Sequence, residues 1–244
     1  MNRFAGEYSS PAREYSGWLV PLAVFVVTAV LAALFLVYYL APTPQQFGRT
    51  RPAPTDSSEL VMLSIGNTGF HVPSNYVLFS EDRGGGQLEE LSLIALYPSL
   101  QGYTLADAQE FTSNRPDSKV IYLGVRQERV ALSQEDKFAR VYWPQILDGD
   151  GTQTSFGAKL YTFREDSGYR DEELYVRQGQ NGTMLVRCTR PAAEVPSPNC
   201  LGDMSLGDGL TATYRFKRAH VSKWQDIEAG TRALLGAFMV KSRD

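Results

Sequence analysis

Apolar side chains are distributed along this chain in two different ways. From Trp18 to Leu40, no charged residue interrupts a run that is dominated by Val, Leu, Ala and Phe. Further along, the apolar positions come in short runs separated by Gly, Pro, Asn and Asp. A long uninterrupted run is typical of a membrane-spanning helix, whereas short runs bounded by turn residues predict the strands of a sheet.

The first run is long enough to span a bilayer, because about 20 apolar residues in a helix cover its hydrocarbon core. Trp18 at one end and Tyr38 and Tyr39 at the other are aromatic residues of the kind found at the head groups. We therefore predict a transmembrane helix over residues 18–41, surrounded by membrane lipid. A cleaved secretory signal is the alternative, but Tyr39-Leu40-Ala41 is a poor small-x-small site.

The predicted helix divides the chain into a short tail, residues 1–17, and a long soluble part. Residues 42–58 contain several prolines among polar residues, which excludes a continuous helix and predicts an extended tether. No fixed-period repeat or Gly- and Pro-rich linker interrupts residues 59–244. We therefore expect one soluble domain over residues 59–244.

The soluble part is rich in strand signals. The first run, Leu60–Ile65, is followed by a Gly-Asn turn and the short run Phe70–Val72, which predicts a hairpin. A second hairpin is predicted from Leu174–Arg177 and Met184–Arg187 across an Asn-Gly turn. Further apolar, β-branched or aromatic runs predict strands over Leu88–Tyr97, Val120–Val125, Phe156–Arg164 and Leu210–Lys217.

Two helices are predicted in the soluble part. Thr104 is a candidate N-cap for a short helix that extends to about Asn114. Ser222 and Gln225 have the spacing of a capping box, and apolar residues follow at helical spacing up to Phe238. The predicted fold class is therefore α+β: an N-terminal transmembrane helix, then a mainly antiparallel sheet with a C-terminal amphipathic helix packed on it.

Net charge and cysteine content bear on location and partners. The formal charge of -3 is spread without long runs of one sign, which argues against nucleic acid as a partner. Basic residues flank the apolar run on both sides, so charge alone does not fix its orientation.

The only two cysteines, Cys188 and Cys200, flank a Pro-rich segment that suits a loop closed by a disulfide. Two separate buried thiols are the alternative, and a metal site is disfavoured because zinc needs four ligands.

Catalytic chemistry has little support in the sequence. The two histidines, His71 and His220, have no recognisable partner, and serine-nucleophile motifs are absent. Asp148–Gly151 lacks the later positions of a calcium loop and is read as a turn. Glu89-Glu90 and Asp171-Glu172-Glu173 are read as solvated strand edges rather than paired catalytic carboxylates. We therefore assign no catalytic, cofactor-binding or metal-binding residue and expect no cofactor.

The stretch from Leu185 through Cys188 and Cys200 to Arg218, together with Trp224–Ile227, resembles a family of uncharacterised single-pass envelope proteins of Gram-negative bacteria. The resemblance implies a membrane-anchored envelope protein and brings no activity, substrate or catalytic residue with it.

Disulfides persist outside the cytosol, so the cysteines indicate a periplasmic domain, with the N-terminus in the cytoplasm and the helix in the bacterial inner membrane. The resulting hypothesis is a non-enzymatic periplasmic module that binds an envelope protein or a cell-wall component. An inhibitor or immunity protein is a specific form of this hypothesis. The alternative is an envelope hydrolase with an unrecognised active site, which requires a pocket that holds a perturbed acid, His71 or His220.

Overall fold

The computed structural model describes residues 17–40, 52–128, 132–179 and 182–240. Most of the predicted tail and the first part of the predicted tether therefore lie outside the described residues. The chain divides into two compact units, residues 1–50 and residues 51–244.

The first unit contains helix α1 (Leu19–Leu40), which has 22 residues and no charged side chain. At 1.5 Å per residue it is about 33 Å long, close to the thickness of a bilayer's hydrocarbon core. The hydroxyl of Thr28 donates a 2.9 Å hydrogen bond to the carbonyl of Val24, so this polar group is satisfied within the helix. Among the described residues, α1 is the one helix long and apolar enough to cross a membrane. It is either a membrane anchor or a signal sequence.

The second unit is built mainly of strands. They are β1 (Leu60–Ile65), β2 (Thr68–Pro73), β3 (Gly86–Leu88), β4 (Glu90–Leu96), β5 (Val120–Gln127), β6 (Thr152–Gln153), β7 (Lys159–Thr162), β8 (Glu172–Gly179), β9 (Gly182–Thr189), β10 (Asn199–Gly207) and β11 (Leu210–Lys217). In the described part of the chain, eight of them form one antiparallel sheet in the order β4-β5-β11-β10-β9-β8-β7-β6. A smaller sheet has the order β2-β1-β3, with β3 parallel to β1.

Helical segments occupy the connections and the end of this unit. The α-helices are α2 (Ala108–Thr112), α3 (Gln134–Asp136) and α4 (Trp224–Phe238), and α3 runs on into a π-helical turn over Lys137–Tyr142. Short 3₁₀ helices cover Ser74–Tyr76, Glu81–Gly84, Trp143–Gln145 and Arg218–Lys223. These elements confirm the predicted α+β class with its mainly antiparallel sheet.

Both predicted hairpins are present. β1 and β2 pair antiparallel, with Leu63 opposite Phe70, and Gly66 takes a positive φ of 57° in the two-residue turn between them. Glycine suits this position because a Cβ atom disfavours positive φ. β8 and β9 also pair antiparallel, with Tyr175 opposite Val186, whereas residues 180–181 of their turn lie outside the described residues.

The predicted C-terminal helix packs on the large sheet. Its buried side chains recur at helical spacing: Trp224, Ile227, Thr231, Leu235 and Phe238. The four apolar ones join one hydrophobic core with the alternate residues of β11, which are Leu210, Ala212, Tyr214 and Phe216. The period of apolar residues therefore predicted correctly which face of each element is buried.

The predicted helix starts were wrong in detail. Ser222 lies in the 3₁₀ segment before α4, and Lys223 occupies the N-cap position without a side-chain bond to the helix. Gln225 does not complete a capping box, because its Oε1 accepts a hydrogen bond from the guanidinium of Arg177 on β8. A tertiary contact has replaced the local one.

The predicted N-cap of the first short helix is also displaced. Thr104 does bond the backbone N–H of Asp107 at 3.2 Å, but this closes a turn that precedes α2.

The predicted strand Leu88–Tyr97 is divided between the two sheets. β3 joins the small sheet, and β4 forms the edge of the large one. The face of β11 that points away from α4 was expected to be in contact with water. The side chains of Thr211 and Lys217 on this face are instead buried. The hydroxyl of Thr211 donates to Glu128 at 3.2 Å, so polar partners cover part of this face.

Residues 52–58 are the described part of the predicted tether, and they belong to no helix or strand. The backbone N–H of Ala53 donates to the carbonyl of Leu78 at 3.0 Å. The guanidinium of Arg83 donates to the carbonyl of Ala53 and, at 3.0 Å, to that of Val77. The chain is therefore bonded to the second unit seven residues before β1 begins at Leu60.

The two cysteines lie opposite each other on neighbouring strands, Cys188 on β9 and Cys200 on β10, and are joined in a disulfide. Both side chains are fully buried in the main core. The bridge closes the Pro-rich loop between the strands.

Replacing both cysteines with serine is expected to lower the free energy of unfolding by about 3 kcal/mol, because a disulfide restricts the unfolded chain. The change is measured by urea denaturation of the full-length protein in non-ionic detergent, with tryptophan fluorescence as the readout. Reduced wild type is the control and should approach the double variant. Equal stability of all three proteins would contradict the prediction.

Candidate functional site

The two histidines lie in separate elements. His71 is exposed on β2, opposite Met62 of β1 in the small sheet. His220 lies in the 3₁₀ segment before α4, where its Nε2 is 3.2 Å from the carbonyl oxygen of Asp117 and 3.1 Å from that of Ser118. Its polar contacts are therefore to the backbone, as in a structural histidine.

The acidic runs lie at strand starts as predicted, but Glu172 and Glu173 are ion-paired rather than solvated. Glu172 pairs with Arg187 at 2.6 Å, and Glu173 pairs with Arg218 at 2.6 Å. Both glutamate side chains are partly buried, at 30% and 15% exposure. Reading Glu172 and Glu173 as a solvated edge was wrong, because cationic side chains reach them from neighbouring segments, whereas the side chain of Asp171 is 85% exposed.

Asp148–Gly151 forms a turn in which the carboxylate of Asp148 accepts a 3.0 Å hydrogen bond from the backbone N–H of Asp150. This local bond is the usual use of aspartate in a turn. Over the described ranges, no group of three or more His, Cys, Asp or Glu side chains is arranged to hold a metal ion.

An open groove of about 970 Å³ runs along one side of α4. Its walls come from four segments that are distant in sequence. We refer to it as the α4 groove, and its polar lining consists of Gln134 and Glu135 from α3, Arg177 and Thr183 from β8 and β9, Asp203 and Ser205 from β10, and Gln225, Glu228 and Arg232 from α4.

Asp203 holds α3 against the sheet. The side-chain amide of Gln134 donates to both the carbonyl and the carboxylate of Asp203, each at 2.9 Å. The ammonium of Lys137 also bonds that carboxylate. Charge-assisted hydrogen bonds of this kind are stronger than neutral ones, so Asp203 fixes the position of this wall.

Glu135 joins α3 to the β8–β9 hairpin. Its carboxylate accepts a 2.7 Å hydrogen bond from the backbone N–H of Thr183, which lowers the pKa of Glu135. A Cβ atom on Gly182 would collide with this carboxylate, and Gly182 has a positive φ of 102°. The positive φ favours glycine at this position, and a larger residue would also displace the Glu135 carboxylate from its present place.

Tyr214 and Glu228 connect the buried sheet to α4. The Tyr214 hydroxyl donates a 2.6 Å hydrogen bond to Glu228, whose side chain is 12% exposed. Burial, reinforced by the negative charge of Glu228, raises the pKa of Tyr214 well above 10.0. Arg232, one turn along α4, lies 3.5 Å from Glu228 and donates at 2.7 Å to the carbonyl of Ser205.

These contacts define what the groove can do chemically. Its acidic residues and Arg177 and Arg232 already have partners within the protein, and Tyr214 stays protonated. The groove presents these donors and acceptors beside small residues such as Ala229 and Ala233. A groove of mixed charge whose side chains are bonded within the protein can contact a ligand of complementary charge.

Sequence reasoning missed this site. The segment Gln134–Tyr142 was assigned to no element, because a three-residue helix followed by a π turn has no apolar period to detect. The Ser133 side chain accepts from the N–H of Asp136, so an N-cap with acidic residues after it was the available signal.

Comparisons with known proteins give a fold rather than a family. No protein-family model matches the chain, and neither does any curated protein. The chain is similar in structure to an immunity protein of the Stenotrophomonas maltophilia type IV secretion system, with a TM-score of 0.55 and 14% identity over 76% of this chain and 95% of the other. It is also similar to the iron-regulated outer membrane lipoprotein FrpD of Neisseria meningitidis, with a TM-score of 0.51 and 12% identity over 78% of this chain and 97% of the other. At these identities the likeness shows the fold alone.

Replacing Tyr214 with phenylalanine is expected to cost about 1–3 kcal/mol of unfolding free energy at neutral pH, because Glu228 loses a buried donor. It should also reduce the alkaline loss of stability. In the wild type, the unfolded tyrosine ionises near pH 10 while the folded one stays protonated, so stability falls as pH rises, by up to about 1.4 kcal/mol per pH unit.

Urea denaturation between about pH 9 and pH 11 checks this. Tyr122→Phe, on the other face of the sheet, is the matched control. If the free energy of unfolding falls with pH as steeply in Tyr214→Phe as in the wild type, the raised pKa of Tyr214 is not the cause of the alkaline loss of stability.

Proposed function

We propose that the chain is a membrane-tethered binding module of the bacterial cell envelope, that it acts without catalysis, and that the α4 groove receives a partner protein. The observation that carries the proposal is the groove itself. Its charged side chains are held in place by internal bonds, so little ordering entropy is lost when a partner binds.

In this proposal residues 18–41 anchor the chain in inner-membrane lipid, residues 1–17 are cytoplasmic, residues 42–58 are the tether, and residues 59–244 are the periplasmic domain. The length and composition of α1 support the anchor. The disulfide between Cys188 and Cys200 supports an oxidising compartment, because thiols in the cytosol are kept reduced.

The fold supports the inhibitor or immunity form of the proposal. One structural neighbour is an immunity protein and the other is an outer membrane lipoprotein. On this reading the partner is a protein toxin that the module neutralises. A cell-wall component is less well matched, because the groove alternates acidic and basic side chains, and such a pattern complements a folded protein surface.

The hydrolase alternative gains no support from the groove, whose described lining contains no histidine. His71 and His220 lie in different elements, and His220 contacts backbone carbonyls. Within the described ranges, the contact of His220 with Ser118 is to the backbone carbonyl rather than to the hydroxyl.

Ala233→Arg tests the groove. Ala233 is exposed on α4 and lines the groove, so a large charged side chain there should obstruct a partner without disturbing the core. Crosslinking in intact cells followed by pull-down should recover an abundant envelope protein with the wild type and at least about tenfold less with the variant.

Ala106→Arg is the matched control, since Ala106 is equally exposed, lies in the turn before α2 and is outside the groove. It should capture the partner as the wild type does. Equal capture by both variants would remove the groove from the proposal, and the absence of any crosslinked protein would count against a binding module.

The proposed topology predicts that Cys188 and Cys200 resist alkylation in the folded protein. Because both are buried, topology is read from Ala106→Cys, a thiol at an exposed position, which should react with a membrane-impermeant maleimide in intact spheroplasts because the domain faces the outside of the inner membrane. Labelling that requires lysis of the spheroplasts would place the domain in the cytoplasm and contradict the proposal.

A further inference from the structure

A lysine is buried on the face of the large sheet opposite α4. Lys217, at the end of β11, is only 7% exposed. Its ammonium donates to the side-chain oxygen of Asn114 at 2.7 Å and to the carbonyl of Ser197 at 3.3 Å. Both partners are neutral, and a buried cation without a counter-ion is costly.

A second cation lies on the same face. Arg215 is two residues before Lys217 on β11, and side chains at that spacing point to the same side of a strand. Its guanidinium lies over the ring of Tyr122, 4.6 Å from the ring centre. Burial, and then the charge of Arg215, lower the pKa of Lys217.

These two cations border a cavity of about 190 Å³ between β11, β5 and the segment that follows α2. The residues that line it, all within the described ranges, include no carboxylate. Neither cation belongs to an ion pair with a described acidic residue. The site therefore holds two positive charges with no internal negative charge beside them.

Neutral donors surround the same space. Asn114 uses its side-chain oxygen to bind Lys217, which leaves its amide N–H groups free to donate. Ser118 is 4% exposed, and its oxygen accepts from the N–H of Val120 at 3.4 Å, so its hydroxyl proton is available. Ser113 and Asn199 add further donors to the lining.

We propose that this cavity binds a phosphate-type oxyanion, with Lys217 and Arg215 neutralising its charge and Asn114 and Ser118 donating hydrogen bonds to it. Several donors from separate segments suit a tetrahedral group with many acceptor oxygens. The space equals that of about six waters, which accommodates such a group. A free phosphate compound and a phospholipid head group share this chemistry. The site is on the other face of the sheet from the α4 groove and does not depend on the proposed partner.

The test is calorimetric titration of the full-length protein in non-ionic detergent micelles with inorganic phosphate at constant ionic strength. Saturable binding is expected, weakened by at least about tenfold in Arg215→Gln and in Lys217→Gln, because each loses a charge-assisted contact. Lys159→Gln is the control, since Lys159 is exposed on β7 away from the cavity, and it should bind as the wild type does.

A second arm repeats the titration in micelles that contain phosphatidic acid or phosphatidylcholine. Competition by phosphatidic acid alone identifies a lipid head group as the ligand, and no competition identifies a free phosphate compound. Both results support the site. Non-saturable heats, or equal affinity in the wild type and Arg215→Gln, would overturn the proposal. Arg215 is exposed, so this variant decides the outcome even if Lys217→Gln fails to fold.

Discussion

The approach of Tyr214 to Gly202 on neighbouring strands sets how α4 lies on the sheet. A Cβ atom at position 202 would collide with the Tyr214 ring, so glycine leaves the space that the ring occupies. From there the hydroxyl reaches Glu228, and Arg232 on the next turn of α4 reaches back to β10. The helix that forms one wall of the groove is thus joined to the sheet by polar bonds as well as by its apolar face.

The two faces of the large sheet consequently have different characters. On the side of α4, one continuous apolar core is bordered by a groove whose charges are internally paired. On the other side, α2 and the segment after it cover a smaller apolar cluster around Phe111 and leave Arg215 and Lys217 beside a polar cavity. The charged residues of the α4 groove are therefore bonded within the protein, whereas Arg215 and Lys217 on the other face have no ion pair among the described residues.

Most strands and the last helix followed from apolar periodicity, because burial of one face imposes a period of two or 3.6 residues. The α4 groove and the cavity beside Lys217 could not be predicted in this way. Gln134 and Asp203 are 69 residues apart, and Lys217 and Asn114 are 103 apart. Alternation along β11 placed Lys217 in solvent, and only the tertiary position of Asn114 explains its burial. Local capping rules failed at Gln225 for the same reason, since Arg177 competes for its side chain.

The bonds at Ala53 have a mechanical consequence. The backbone N–H of Ala53 is bonded to Leu78, and its carbonyl is bonded to Arg83. A pulling force applied to the chain before Ala53 would therefore act on these two bonds before it acts on β1. β1 lies in the centre of the small sheet, bonded on both sides, so residual force would act on it in shear rather than by unzipping an edge.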